Sequence, residues 1–150
     1  MGETSIGRRH ADGLRETREA STLMSGLIAV MLGSVLGGAA RYFVSGMVAR
    51  QVGETFPWGT LLINVSGALV IGVCGGLAKD SASILAQPDI WLFAVTGVLG
   101  CYTTVSSFSL QTLSLAKDNQ MPRALGYVVL SVALSLAAAA AGFALVDVMK

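Results

Sequence analysis

The sequence predicts an all-α membrane protein with four transmembrane helices, the third of them broken. Of its 150 residues 53% are hydrophobic and only 13% charged, against about 25% charge in a soluble domain. The mean hydropathy is +0.68. The charges are also segregated, with none between Asp89 and Lys117 and none between Arg123 and Asp147. A helix needs about 20 apolar residues to cross a bilayer's hydrocarbon core, and the chain holds four runs of that size. Helices of a soluble bundle carry a charged outer face, which these lack.

Residues 1–22 are polar and hold eight charges: Glu3, Arg8, Arg9, Asp12, Arg15, Glu16, Arg18 and Glu19. They read as an N-terminal tail, disordered or partly helical, without a core of its own. Residues 23–150 form a four-helix transmembrane domain. Its first span, 24–48, is interrupted by one charge, Arg41. The second, 58–78, contains one strongly polar residue, Asn64. The third, 90–115, holds five hydroxyls in seven positions from Thr103 to Ser109, with Phe108 among them. The fourth is 124–146. Trp58 and Trp91 open two of the spans, where an indole sits at headgroup level.

Orientation is poorly fixed by charge. Apart from the tail, one side carries Lys79 and Lys150 and the other Arg50, Lys117 and Arg123, so the positive-inside rule selects neither. The tail's arginines favour a cytoplasmic N-terminus. Gly33 with Gly37 and Gly72 with Gly76 make GxxxG pairs, which let helix backbones approach closely in lipid. Four thin helices enclose little, so a homo-oligomer is expected, most simply a dimer.

Several functions are disfavoured. A net charge of +1 gives no basic surface for nucleic acid. The only histidine, His10, lies in the tail, and no nucleophile–base constellation exists, so an enzyme is not expected. Cys74 and Cys101 lie in apolar runs and read as small hydrophobes. A proton-coupled exporter of organic cations needs a carboxylate inside a span, and no span contains Asp or Glu.

What the spans do contain is hydrogen-bond donors. Arg41 is the single intramembrane charge, a functional hypothesis by default; late in its span, it either snorkels to the interface or, on the better reading, faces a water-filled vestibule that attracts anions. Asn64 reads as an interhelical hydrogen bond or, with Thr60 one turn before it on the same face, as part of a polar track, and Tyr127, Ser131 and Ser135 follow at four-residue steps. An anion in a low-dielectric pore replaces its hydration with such groups. Gly97, Gly100 and the hydroxyl residues weaken the middle of the third span. A break there frees backbone carbonyls, and converging carbonyls suit a hard cation. The edge of the Phe108 ring, positively polarised, can meet an anion.

Four segments, "GGAARY" (Gly37 to Tyr42), "GTLLINVSG" (Gly59 to Gly67), "GCYTTVSSFS" (Gly100 to Ser109) and "YVVLSVALS" (Tyr127 to Ser135), together resemble the Fluc, or CrcB-type, fluoride channels over about 26–146. The resemblance implies multi-pass subunits of the inner (plasma) membrane, surrounded by lipid and paired as an antiparallel, dual-topology dimer. It further implies two fluoride pores and a central structural Na+. By position, Asn64 is the pore asparagine, Arg41 the vestibule arginine and Phe108 the second pore phenylalanine. Thr60, Ser106, Tyr127, Ser131 and Ser135 join the polar lining, and backbone carbonyls of Gly100 and Thr103 hold the sodium. Two positions depart from the family: Val105 stands where it usually keeps its first pore phenylalanine, and Gln111 where it usually has an acid. The expected function is passive export of cytoplasmic fluoride. The alternatives are a non-conducting or obligately heterodimeric subunit of such a channel, or a small dual-topology cation/proton antiporter.

Overall fold

The computed structural model describes residues 3–53 and 56–149, with side chains from 13 onward. Helix α1 runs over Glu3–Val52 and α2 over Trp58–Ala78. A 3-10 turn at Ile84–Ala86 leads into α3, a helical run over 88–102. Helices α4 (Val105–Lys117) and α5 (Met121–Val148) complete the chain. Among the described residues, four helical segments are long and apolar enough to cross a membrane, the third composed of α3 and α4 together. At 1.5 Å per residue the 21 residues of α2 reach about 31 Å, the thickness of a hydrocarbon core.

Local chemistry sets the boundaries. Gly53, with φ at +79°, ends α1 in the left-handed region, which costs glycine nothing. Pro88 begins α3 and Pro122 lies in the first turn of α5, where a missing N–H is harmless. Between α4 and α5, Asn119 takes φ 58° while Gln120 N–H bonds the Leu115 carbonyl and Asn119 N–H that of Ala116. That pairing is the Schellman arrangement, which satisfies the last carbonyls of α4.

From Glu3 the backbone of the polar N-terminal segment continues as helix into the first span, giving α1 a length of 50 residues. Of the two forms expected from composition, disordered or partly helical, this is the helical one. A helix already begun in lipid extends at one hydrogen bond per residue without renucleating.

Two pairs of helices interlock through glycine. On α1, a Cβ at Gly33 or Gly37 would collide with the backbone of Phe93 or Val98 in α3. From the other side a Cβ at Gly97 would lie 2.8 Å from the Val30 carbonyl oxygen. On α2, Gly72 and Gly76 face Ala139, Phe143 and Val146 of α5, and Gly142 faces Leu69 and Val73 in return. Both GxxxG pairs therefore work inside the subunit. At the end of this second pair Lys79 lies 3.3 Å from Asp147 and its ammonium stands over the Phe143 ring.

The break in the third span falls at Thr103–Thr104, both extended. It falls within the hydroxyl cluster that, with Gly97 and Gly100, is expected to weaken this span. Gly100 has ordinary helical angles, and Gly97 serves close packing against α1. Leu92–Leu99 is wound as a π-helix, a form frequent near functional sites.

Candidate functional site

The break is held by Asn64. Its Oδ1 accepts from the Thr104 backbone N–H at 2.8 Å, and its Nδ2 donates to the Thr104 carbonyl at 3.0 Å. In an unbroken helix that N–H would close a turn on the Gly100 carbonyl; here it is diverted. Thr104, itself buried, then starts α4 by accepting the Ser107 N–H on its hydroxyl at 3.1 Å, a side-chain N-cap. The same hydroxyl lies 3.1 Å from Ser106 Oγ and 3.2 Å from Ser107 Oγ. Thr103 Oγ1 donates to the Leu99 carbonyl at 2.9 Å and finishes α3. Tyr102 meets Ser66 of α2 at 3.0 Å, and Gly67 leaves room for Thr103 and Tyr102. Much of the hydroxyl cluster is thus the hydrogen-bonded seam of the break.

Beside the seam opens a cleft of ≈ 560 Å³. Asn64, Gly100, Thr103, Val105, Phe108, Ser131 and Ser135 line it, together with apolar neighbours. Ser131 is 5% exposed, and its hydroxyl has no hydrogen-bond partner among the described residues. An unmade hydrogen bond at a buried hydroxyl is costly, so this donor, with the Tyr127 hydroxyl close by but outside good hydrogen-bond geometry, is available to whatever enters.

Other predicted residues lie elsewhere. Thr60 shares a face of α2 with Asn64 but opens away from this cleft, toward two others. One, of ≈ 390 Å³, contains Arg41 with Thr60, Thr104 and Ser107. Among the described residues Arg41 pairs with no carboxylate. The other, ≈ 510 Å³, is polar and includes Thr60, Gln111, Asp118 and Arg123. Tyr127 is fully buried and lines none of these clefts, its hydroxyl donating to Gln111 Oε1 at 3.1 Å. Ser106 is exposed beside Thr104, and Val105 is 77% exposed at the cleft mouth. Cys74 and Cys101 are free and half-buried.

Sequence reasoning misses Thr104 as the cap and Ser66 as the partner of Tyr102. A hydroxyl residue just before a helical run is a cap signal, but any of the five clustered hydroxyls offers a similar one.

A four-span helical membrane protein, one span broken and clamped beside a donor-lined cleft, is the class these features define. Residues 28–143 match the family described as CrcB-like protein, camphor resistance (CrcB), and the chain belongs to it. The fluoride-specific ion channel FluC 2 of Bradyrhizobium diazoefficiens is 62% identical over 125 residues, 83% of this chain and 91% of that one. FluC 2 of Rhodopseudomonas palustris is 58% identical over 127 residues, covering 85% and 97%. FluC 3 of Brucella suis is 47% identical over 116 residues, covering 77% and 87%.

Proposed function

We propose that this chain is a passive fluoride channel that lets fluoride leave the cytoplasm across the inner membrane. The observation that carries the reading is the buried, unpartnered Ser131 hydroxyl in a cleft it shares with Asn64 and Phe108. A small, strongly hydrated anion needs donors in place of water, and this cleft offers them with no acid among its lining residues. The names of the relatives, fluoride-specific ion channels, point the same way. Fluoride enters acidified cells as neutral HF and dissociates inside, so an anion pore without coupling relieves the load.

The cleft is open along one side of a single subunit, so the pore is completed by a second copy. In this reading the copies are antiparallel and form two pores. A Na+ between them is held by carbonyls of Gly100 and Thr103. The residues fit such an ion, because the Thr104 N–H is withdrawn from the Gly100 carbonyl and the chain extends at Thr103. When bound, it supplies positive charge where two breaks meet. Arg41 draws anions toward Thr60 and Ser107, and Phe108 offers its ring edge in the adjoining cleft.

Val105 favours a second reading, a subunit that conducts only beside a different partner. It places an aliphatic side chain at the cleft mouth, where the family usually keeps a ring. Fluoride efflux from liposomes containing the purified chain alone decides between them. Rapid efflux, absent from empty vesicles, supports the homodimeric channel. Retained fluoride beside a working FluC control overturns it.

A further inference from the structure

Tyr127 and Gln111 separate two spaces. The Tyr127 ring packs 5.3 Å from Phe108 on one side and 5.5 Å from Phe56 on the other, centre to centre. Phe108 belongs to the cleft beside the break, Phe56 to the polar cleft that contains Gln111 and Thr60. One turn along α5 from Tyr127, Ser131 lines the first cleft with its free hydroxyl. The fully buried tyrosine thus stands between a lining residue of each cleft, and we take it as the partition between them. A phenol hydroxyl has one proton to give, and this one goes to the amide oxygen of Gln111 at 3.1 Å. While it does, an anion beside Ser131 meets the lone pairs of the tyrosine oxygen rather than its proton.

The geometry points to Gln111 as a specificity-determining positioning residue that acts through Tyr127, an inference resting on the fluoride-channel reading. The neutral amide keeps the Tyr127 proton engaged until a stronger acceptor competes for it. Hydrogen bonds to an ionised acceptor are about twice as strong as neutral ones. Among halides that advantage is greatest for fluoride, whose charge is concentrated on a small ion. Chloride, larger and a weaker acceptor, does not displace the amide and is held back by the oxygen. Fluoride takes the proton as a hydrogen bond, Tyr127 turns from Gln111, and the partition opens. No bond is broken and no proton is transferred, so the tyrosine returns to Gln111 once the ion has left.

The test uses the full-length chain in liposomes, with fluoride and chloride efflux measured separately. Gln111→Leu removes the acceptor and leaves the Tyr127 proton available to any anion. The ratio of chloride to fluoride flux is expected to rise about tenfold, the scale set by one hydrogen bond. Tyr127→Phe lacks the hydroxyl, so adding Gln111→Leu to it should leave the ratio where Tyr127→Phe alone puts it. An unchanged ratio in a Gln111→Leu protein that still conducts fluoride overturns the inference. A full change that persists without the Tyr127 hydroxyl overturns it equally. Should Gln111→Leu aggregate, Gln111→Met, closer in shape, takes the same measurements. Parent liposomes that hold their fluoride overturn the channel reading itself, and the latch with it.

Discussion

Both polar ends of the Asn64 side chain are engaged by the Thr104 backbone, which gives this residue a structural task in addition to the pore role proposed for it. One Nδ2 proton remains for the cleft, since the amide has two. Asn64→Ala leaves the Thr104 N–H and carbonyl without these partners in the middle of a span. Each buried unmade hydrogen bond costs about 1–3 kcal/mol. Asn64→Ala is therefore expected to lose fluoride flux and also to melt several degrees lower in detergent, with faster amide exchange at Thr104. Lost flux with unchanged melting and exchange would confine Asn64 to the pore. Gln111 shows how a departure from a family pattern can keep part of its chemistry. Its amide oxygen accepts from Tyr127 as a carboxylate could, without bringing a charge.

At the scale of elements, glycine decides which helices meet. Gly142 abuts Leu69 and Val73 of α2, whereas Gly126, also on α5, has nothing within 4 Å of a built Cβ. Gly142→Leu forces α2 and α5 apart, and overpacking of this kind costs about 1–3 kcal/mol or more. Gly126→Ala, by contrast, gains helix propensity of up to about 1 kcal/mol. Thermal unfolding in detergent should show the first well below the parent and the second level with it or above. Equal melting of both variants would contradict this helix packing. The four spans are legible from sequence because lipid requires long uncharged runs, and α2 falls on the predicted 58–78. The weak stretch is legible from its glycines and hydroxyls, but the residue at which it opens is not, because the break falls where Asn64, 40 positions away, captures the Thr104 N–H.

For the whole molecule, charge outside the lipid governs how the chain inserts. Lys79 is paired with Asp147, which weakens it as an orienting charge on the N-terminal side. Arg50, Lys117 and Arg123 stand on the opposite side. By the positive-inside rule the arginines near α1's first span bias the contest, and Arg15 and Arg18 are exposed there. Antiparallel copies need both orientations, so with Ser81→Cys as reporter an impermeant thiol reagent should label the full chain from both faces. Deleting residues 2–21 should bring the two shares closer to equal. One-sided labelling of the full chain would contradict antiparallel copies of this chain, and unchanged shares after truncation would remove the N-terminal segment as a determinant.

The sequence by itself determines the membrane class, the number of spans, the broken third helix and the family. Each follows from charge-free length, from small residues at helical spacing, or from motifs whose order survives without coordinates. It also names most of the polar groups at the cleft, because a donor inside lipid is conspicuous against an apolar background. Only the tertiary structure decides how those groups divide. Thr60 and Asn64 share a face of one helix, yet they open on different clefts because Thr104 docks across Asn64. Tyr127 and Ser131 lie one turn apart, yet one hydroxyl is bonded to Gln111 and the other is free. Helical periodicity gives the direction in which a side chain leaves its helix. Which neighbour waits there depends on contacts distant in sequence.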